Sequence, residues 1–315
     1  MSITVVIPTR NRAAQLREAV RSVIASPLIP TVQDIIVVDD DSEDETPAVA
    51  GALGVRYIHI ASGGPSGARN AGIRLAGTEF VAFLDDDDVW LPSNMVKQLD
   101  ALRRAPGAAF AFGRVQRTDE QSQPFGAAIP EGPLPSGHIV EFVWYFDLQV
   151  GAILFRRSAL TAIGGFDPAL RFNEDSDLLV RLAARYTAIG VDTVGSLFRQ
   201  RAPNARDAAL RWPAYEARAA ATRKWRDAGI RIPFQSRLRS ELNYRGMTSF
   251  FFCDDAVAAL NAGNRTEAAK AVIRAVRVSP MHCIFGHRRM WPTLGALARS
   301  LTHAATPRHV GPRRR

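Results

Sequence analysis

Cysteine is nearly absent from this chain: Cys253 and Cys283 are the only two, and both lie in the last third. Two such residues build neither a disulfide framework nor a zinc spacing, so a reducing compartment is expected. No window approaches 18 uninterrupted apolar residues, which argues against a membrane-spanning helix. The opening segment MSITVVIPTRNR has too short an apolar run for a secretory signal, and Pro8 and Arg10 interrupt it. The six histidines (His59, His138, His282, His287, His303 and His309) are scattered without ligand spacing. No P-loop Lys-Ser/Thr and no G-x-G-x-x-G occurs. No nucleic-acid-binding motif is present either, nor any regular interleaving of aromatic with basic residues. A cytosolic protein without a nucleic-acid partner is the expectation.

What is present is an uneven distribution of charge. Residues 1–200 carry 18 Lys/Arg against 24 Asp/Glu, whereas residues 201–315 carry 22 against 7. A basic C-terminal region of this kind is either a solvated face or the attachment point for an anionic membrane surface.

Hydrophobic patterning organises the first two hundred residues. Ile3–Ile7, Asp34–Val38, Tyr57–Ile60, Phe80–Leu84, Ala108–Phe112 and Val150–Phe155 read as buried strands. Helical periodicity appears at Ala13–Ala25, Ala68–Leu75, Ser93–Arg103, Arg157–Ile163 and Ser176–Tyr186. Between Thr118 and Gly137, Pro, Gly and Gln predict a loop. Alternating strands and helices imply an α/β fold with a mainly parallel sheet, whose ligands bind beyond the carboxyl ends of its strands. From residue 205 strand signals fade, and helices rich in Ala and Arg follow, Arg265–Val278 among them. The expected organisation is an α/β domain over 1–204, a helical basic region over 205–305 and a disordered tail over 306–315.

The unusual polar clusters fall at strand ends. Asp85–Asp88 follow FVAFL directly. Unpaired carboxylates about 4 Å apart repel by roughly 4 kcal/mol at an effective dielectric near 20, so a cation is expected to offset them. In an extended backbone Asp85 and Asp87 share one side and Asp86 and Asp88 the other, and one such pair can hold Mg²⁺ or Mn²⁺. The alternative is an acidic turn in which Asp88 or Ser93 caps the next helix. Asp39, Asp40 and Asp41, with Ser42 and Asp44, follow the second strand; they can accept from a base or ribose, or cap a helix. Gly63–Gly67 with Arg69 and Asn70 offers backbone N–H groups and a fixed charge to an anion. Glu174-Asp175-Ser176-Asp177 opens a helix, where Asp175 is either a cap or a general base.

Six segments occur in an order that resembles inverting nucleotide-sugar transferases of glycosyltransferase family 2: VVIPTRNR, IIVVDDDSEDET, GPSGARNAGI, FVAFLDDDDVWLP, LFRRSALTAIGGFD and NEDSDLLVRLA. The resemblance covers residues 3–190 and implies the GT-A fold, Rossmann-like, with a helical C-terminal extension. It implies a nucleotide-sugar pocket formed by Pro8, Arg10, Asn11, Asp39, Asp40, Arg69, Asn70, Asp85 and Asp86. Asp87, with Asp85, would be the metal ligand, for Mg²⁺ or Mn²⁺, and Asp175 the catalytic base. Gly165, Phe166 and Glu174 would face the acceptor, a glycan or lipid-linked glycan. The implied activity is hexose transfer, with UDP-hexose as the expected donor, in bacterial surface-polysaccharide or glycolipid assembly on the inner face of the membrane. Where relatives carry a histidine after the catalytic helix, this chain has Arg201, which cannot ligate a metal. The rival readings are a nucleotidyltransferase, which needs a Gly- and Lys-rich loop that PTRNRAA does not supply, and a catalytically silent nucleotide-binding protein.

Overall fold

A computed structural model describes residues 2–25, 32–146, 148–200 and 205–280, with backbone path alone at 92–94 and 205–209. The chain divides into two compact units, Met1–Ala202 with Glu216–Pro233, and Pro203–Tyr215 with Phe234–Arg315.

The first unit is built on one eight-stranded sheet. Strand β1 (Ile3–Thr9) is followed by α1 (Ala13–Ile24), β2 (Val32–Asp40), α2 (Thr46–Ala52) and β3 (Arg56–Ile60). Next come α3 (Gly64–Leu75), β4 (Phe80–Phe83), β5 (Val89–Trp90), α4 (Pro92–Arg104) and β6 (Ala108–Thr118). The series closes with α5 (Val140–Tyr145), β7 (Ile153–Arg156), α6 (Arg157–Ala162), α7 (Glu174–Arg185) and β8 (Thr187–Arg199). Sheet order is β3-β2-β1-β4-β7-β6-β8-β5. β1 pairs in parallel with β2 and β4, and β6 with β8, while β7 and β5 run antiparallel to their neighbours. The sheet is therefore mixed, and the carboxyl ends of β1, β2, β4, β6 and β8 share one edge.

Alternation along the strands sends side chains to two cores. Val6, Ile36, Val38, Val81 and Phe83 join a core with α3, α5 and α7 on one face. Ile3, Val5, Ile7, Ile35, Val37, Phe80 and Ala82 join α1, α2 and α4 on the other. Such two-faced burial is why these segments read as continuous apolar runs. α3 lies so close to β1 that a Cβ on Gly72 would meet Val6 Cγ1 at 2.2 Å.

Several elements differ from expectation: Val150–Ala152, read as the start of a strand, forms a 3-10 turn ahead of β7. β8 is a thirteen-residue strand that the sequence did not announce, because Gly190, Asp192, Thr193, Gly195 and Ser196 break its apolar alternation. Its identity comes from pairing with β6 and β5. α4 begins after Leu91, whose extended backbone supplies no side-chain cap, so neither Asp88 nor Ser93 is the cap residue. α7 begins after Asn173, in the left-handed region at φ 59°, so Asp175 and Ser176 sit inside its first turn rather than at the cap.

Helix α8 (Ala205–Asp227) contributes to both units. Pro213, which removes an intrahelical hydrogen bond, lies two residues before the division. The single boundary expected at residue 204 is thus crossed by the chain, since Glu216–Pro233 packs with the first unit. The reason is a buried charge. Asp177, with no exposed surface, accepts from Arg181 Nε at 2.8 Å, Lys224 Nζ at 2.9 Å and Trp225 Nε1 at 2.8 Å. Lys224 also binds Asp167 at 2.6 Å, holding that carboxyl below its ordinary pKa, and Trp225 packs edge-on to Trp144. In the second unit α9 (Phe234–Asn261) and α10 (Arg265–Val278) are helices, the latter with the expected bounds; Asn264 caps it through Glu267 N. Cys253 is buried there. The tail and Arg201 lie outside the described residues.

Removing a partner from a buried ionic network leaves uncompensated charge. Asp177→Ala is expected to destabilise the folded chain by about 3 kcal/mol, measured by urea unfolding with Trp fluorescence. Unchanged stability would mean that Lys224 and Trp225 are held by other contacts.

Candidate active site

The carboxyl edge of the sheet gathers the acidic clusters, and arginines meet them there. Arg69, one turn into α3 and 4% exposed, donates Nη2 to Asp85 Oδ1 at 2.7 Å. Its Nη1 reaches Glu174 Oε1 and Asp175 Oδ1, each at 3.2 Å. Burial opposes its charge, but Asp175, Asp85 and Glu174 outweigh that opposition and raise its pKa further. The guanidinium also lies 5.3 Å from the centre of the Phe166 ring. One side chain thereby joins the end of β4 to the start of α7.

Arg12 performs the same task on the other carboxylates. Its Nη1 donates to Asp86 Oδ1 at 2.6 Å and Asp87 Oδ2 at 3.0 Å, and Thr9 Oγ1 adds a bond to Asp86 Oδ2 at 2.8 Å. Burial pushes the Asp86 carboxyl up to about 6, with Arg12 pulling against it. The extended alternation expected of Asp85–Asp88 does not continue, because the backbone turns here, Asp88 N–H donating to Asp85 O at 3.0 Å. Asp86 and Asp88 are buried and the side chains of Asp85 and Asp87 are 32% and 19% exposed, yet Arg12 ties Asp87 to Asp86 rather than to Asp85. Asp88 turns inward, where its Oδ1 accepts the Arg199 N–H at 3.0 Å, and burial together with Asp85 pushes it up to about 8.

The second cluster stitches loops together. Asp39 is fully buried; Ser42 N–H donates to its Oδ1 at 2.9 Å and Tyr57 OH to its Oδ2 at 2.7 Å. Burial and Asp39 together push the Tyr57 phenol up to about 12. Asp40 accepts from Gly63 N at 2.5 Å and Gly64 N at 3.1 Å. The glycine segment is therefore the first turn of α3, with Pro65 near its start, and those two N–H groups are already satisfied by Asp40. They face the chain's own Asp40 carboxylate, which corrects the expectation that they are offered to a bound anion. Asp44 serves two helices, accepting from Ala13 N in α1 and Thr46 N in α2. Asn11, at φ 53°, bonds Ser42 and Glu43 through its own N–H and Oδ1. Pro8 lies in β1 opposite Val38, and Arg10 is 54% exposed, 3.8 Å from Asp40.

Residues 4–164, half of the chain, match the family described as Glycosyl transferase family 2. This chain is a member of that family. It is 32% identical over 198 residues to a pre-mycofactocin glycosyltransferase of Mycobacterium tuberculosis, an alignment covering 57% of this chain and 38% of that one. It is 31% identical over 198 residues to the succinoglycan biosynthesis protein ExoO of Rhizobium meliloti, covering 58% and 56%. The chain thus spans less than two thirds of the length of these relatives. Among solved structures, the mannosyltransferase PcManGT from Pyrobaculum calidifontis, in complex with GDP-Man and Mn²⁺, superposes with a TM-score of 0.57 at 18% identity, covering 96% of this chain and 80% of that one. S. aureus TarS 1-349 in complex with UDP-GlcNAc gives 0.56 at 16%, covering 95% and 81%. At such identities the likeness is one of fold, and that fold is GT-A.

Within this family 2 chain, Asp85, Arg69, Glu174, Asp175 and Phe166 come together as one group, and Arg12, Asp86 and Asp87 as an adjoining one. Asn70 has a different surrounding: its Nδ2 donates to Phe166 O and its Oδ1 accepts Phe166 N–H, both at 2.8 Å. A Cβ on Gly165, at φ 70°, would stand 2.3 Å from that Oδ1, so the GGFD turn depends on glycine there. Arg12 was missed because nothing in PTRNR sets it apart from Arg10 as a partner for acids until the fold places it beside Asp86 and Asp87. Asp88 was legible as an acid but not as a buried one.

The Asp88 carboxyl, raised in the folded state, binds its proton more tightly there than in the unfolded chain. Its contribution to stability is complete below about pH 4 and falls as pH rises through about 8. Asp88→Asn is expected to flatten this dependence by an amount on the order of 2–4 kcal/mol, read from urea midpoints of the metal-free protein at acid and alkaline pH. Identical pH profiles for the two proteins would show that the carboxyl titrates normally.

Proposed function

We propose that this chain is an inverting, divalent-metal-dependent hexosyltransferase that moves a sugar from a nucleoside diphosphate, UDP being the expected base carrier, onto a hydroxyl of a glycan or lipid-linked glycan. The observation that carries the reading is the sharing of one buried guanidinium, Arg69, by Asp85 and Asp175 at the carboxyl edge of the sheet. A donor-side and an acceptor-side carboxylate are thereby held within one side chain's reach. The relative named for succinoglycan biosynthesis supports a glycan acceptor, and the neighbour holding GDP-Man with Mn²⁺ supports a metal.

Among the described residues no three His, Cys, Asp or Glu side chains form a ready-made metal cage. That fits Mg²⁺ or Mn²⁺, which usually takes one or two protein carboxylates and completes its shell with substrate phosphates and water. Asp85 and Asp87, partly exposed hard-oxygen donors at a strand end, would hold it. When bound, the ion supplies positive charge to the departing diphosphate.

The chain's own residues do the remainder. Asp175 accepts the proton of the acceptor hydroxyl as its oxygen attacks the anomeric carbon from the side opposite the leaving group. The bond from that carbon to the diphosphate oxygen breaks with its electron pair going to the diphosphate, and the configuration inverts. Glu174 and the Phe166 turn orient the acceptor beside Asp175. Arg12 and Arg69 set positive charge among the carboxylates before substrate arrives, and offer guanidinium donors near the phosphates. Asp39 and Asp40 shape the nucleoside side of the pocket with Pro8, Arg10 and Asn11. The basic C-terminal region would bring the enzyme to the anionic inner surface of the membrane, where a lipid-linked acceptor resides.

Two outcomes are expected. With Mn²⁺ and a panel of nucleotide sugars, the cognate donor should raise the melting temperature and release nucleoside diphosphate. Asp175→Asn should lower turnover by roughly 10²–10⁴-fold while leaving the donor-induced thermal shift in place; unaltered turnover would remove Asp175 from the role of base. A separate measurement concerns Arg69→Met, which should weaken stability by about 3 kcal/mol and reduce turnover even in the surviving folded fraction. A normal turnover number in folded Arg69→Met would dismiss the shared guanidinium as the organiser of the site.

A further inference from the structure

Large apolar side chains at the surface are concentrated in the second unit. Of the eleven that are exposed among the described residues, eight belong to it: Leu210, five on α9 and two on α10. Scattered single exposures need no explanation, but a concentration of this kind marks an interaction surface.

The cause is a mismatch of helix lengths. α9 has 28 residues and α10 has 14, so α10 can accompany only about half of its neighbour. It runs back along the C-terminal half: Ser249 Oγ donates to Ala275 O at 3.3 Å, Phe252 and Cys253 pack with Ala275 and Val278, and Ala256 packs with Ala268, Ala271 and Val272. Stepping back from Phe252 by threes and fours, the same stripe of α9 passes Ser249 and Arg245 and reaches Leu242, Leu238 and Phe234. These last three are 50%, 45% and 65% exposed. Arginines border the stripe. Arg237 and Arg239 flank it, the Arg237 guanidinium lying 5.6 Å from the Phe234 ring centre, and Arg245 continues it, paired with Glu241 at 2.6 Å.

Three occupants could cover an apolar stripe so bordered, and charge decides among them. Residues 281–315 hold seven arginines and no Asp or Glu, so they would set guanidinium against guanidinium. A second copy would do the same, presenting Arg237, Arg239 and Arg245 to themselves. An anionic bilayer reverses the sign: apolar side chains enter the acyl boundary, and flanking arginines extend to lipid phosphates. We infer that the N-terminal half of α9, through Phe234, Leu238 and Leu242 with Arg237 and Arg239, is the surface by which this protein lies on an anionic phospholipid membrane. The inference rests on the transferase reading only for its purpose, which is to meet a lipid-linked acceptor.

The test is co-sedimentation of the full chain with phosphatidylglycerol/phosphatidylcholine vesicles and with phosphatidylcholine vesicles alone. Donor hydrolysis and sedimentation velocity are followed in parallel. The expected result is binding to the anionic vesicles only, lost at high salt. The double variant Leu238→Gln/Leu242→Gln should bind at least about tenfold more weakly. Arg237→Gln/Arg239→Gln should weaken binding with a shallower salt dependence. Both should keep the helical circular dichroism and the donor hydrolysis of the parent. Failure of the parent to sediment with anionic vesicles, or undiminished binding by the leucine double variant, overturns the inference. So does a dimeric parent that this variant renders monomeric, because the stripe is then a self-interface. Loss of hydrolysis with vesicle binding intact would instead strike at the transferase reading alone.

Discussion

Crowded negative charge at the mouth of a sheet is the constraint on which the rest of this structure depends. Asp85 to Asp88, Glu174 and Asp175 cannot converge at strand ends without cations among them, and Arg69 and Arg12 supply those cations from α3 and from the loop after β1. Arg69 bears the larger share. It is buried, it meets three carboxylates, and its guanidinium rests on Phe166, so α3, the end of β4, the GGFD turn and α7 are all referred to one planar group. A lysine could not reproduce this, since a point charge lacks the fork that addresses several carboxylates at once.

Around that centre, polar side chains fix loops that would otherwise wander. Asn70 holds Phe166 by both backbone groups, Asp40 closes the first turn of α3, and Asp44 joins two helix starts. A second, wholly buried anchor lies behind α7. Asp177 draws Lys224 and Trp225 onto the first unit, so that the helix bearing Asp175 is supported from a segment fifty residues further along. The first unit of this glycosyl transferase family 2 member therefore includes chain that a composition change near residue 204 would assign elsewhere.

The second unit obeys a simpler rule. Its helices bury what α10 is long enough to cover and leave the remainder of the α9 stripe in water, edged by arginine. An apolar face with a basic border is what an anionic lipid surface matches. The first two hundred residues, with 18 Lys/Arg against 24 Asp/Glu, and the remainder, with 22 against 7, therefore present opposite charge to whatever each part meets.

Local signals in the sequence marked most of the buried strands, most of the alternation of strands and helices as far as α7, and the placement of acids at strand ends. Apolar runs such as ITVVI, DIIVV and FVAFL have few other ways to escape water, and the polar residues that interrupt them must fall at their ends. The helix over Arg265–Val278 was equally plain, because its periodicity and Asn264 cap are contained within it. Tertiary structure alone decided the partners. That Arg12 meets Asp86 across 74 positions, Arg69 meets Asp175 across 106, and Asp88 turns inward to Arg199 across 111 follows from strand order and parallel register. So does β8, whose broken alternation becomes a strand only because β6 and β5 offer it hydrogen bonds. Hydrophobic periodicity is a property of neighbours in the chain, whereas charge pairing belongs to neighbours in space, which exist only once the sheet has assembled.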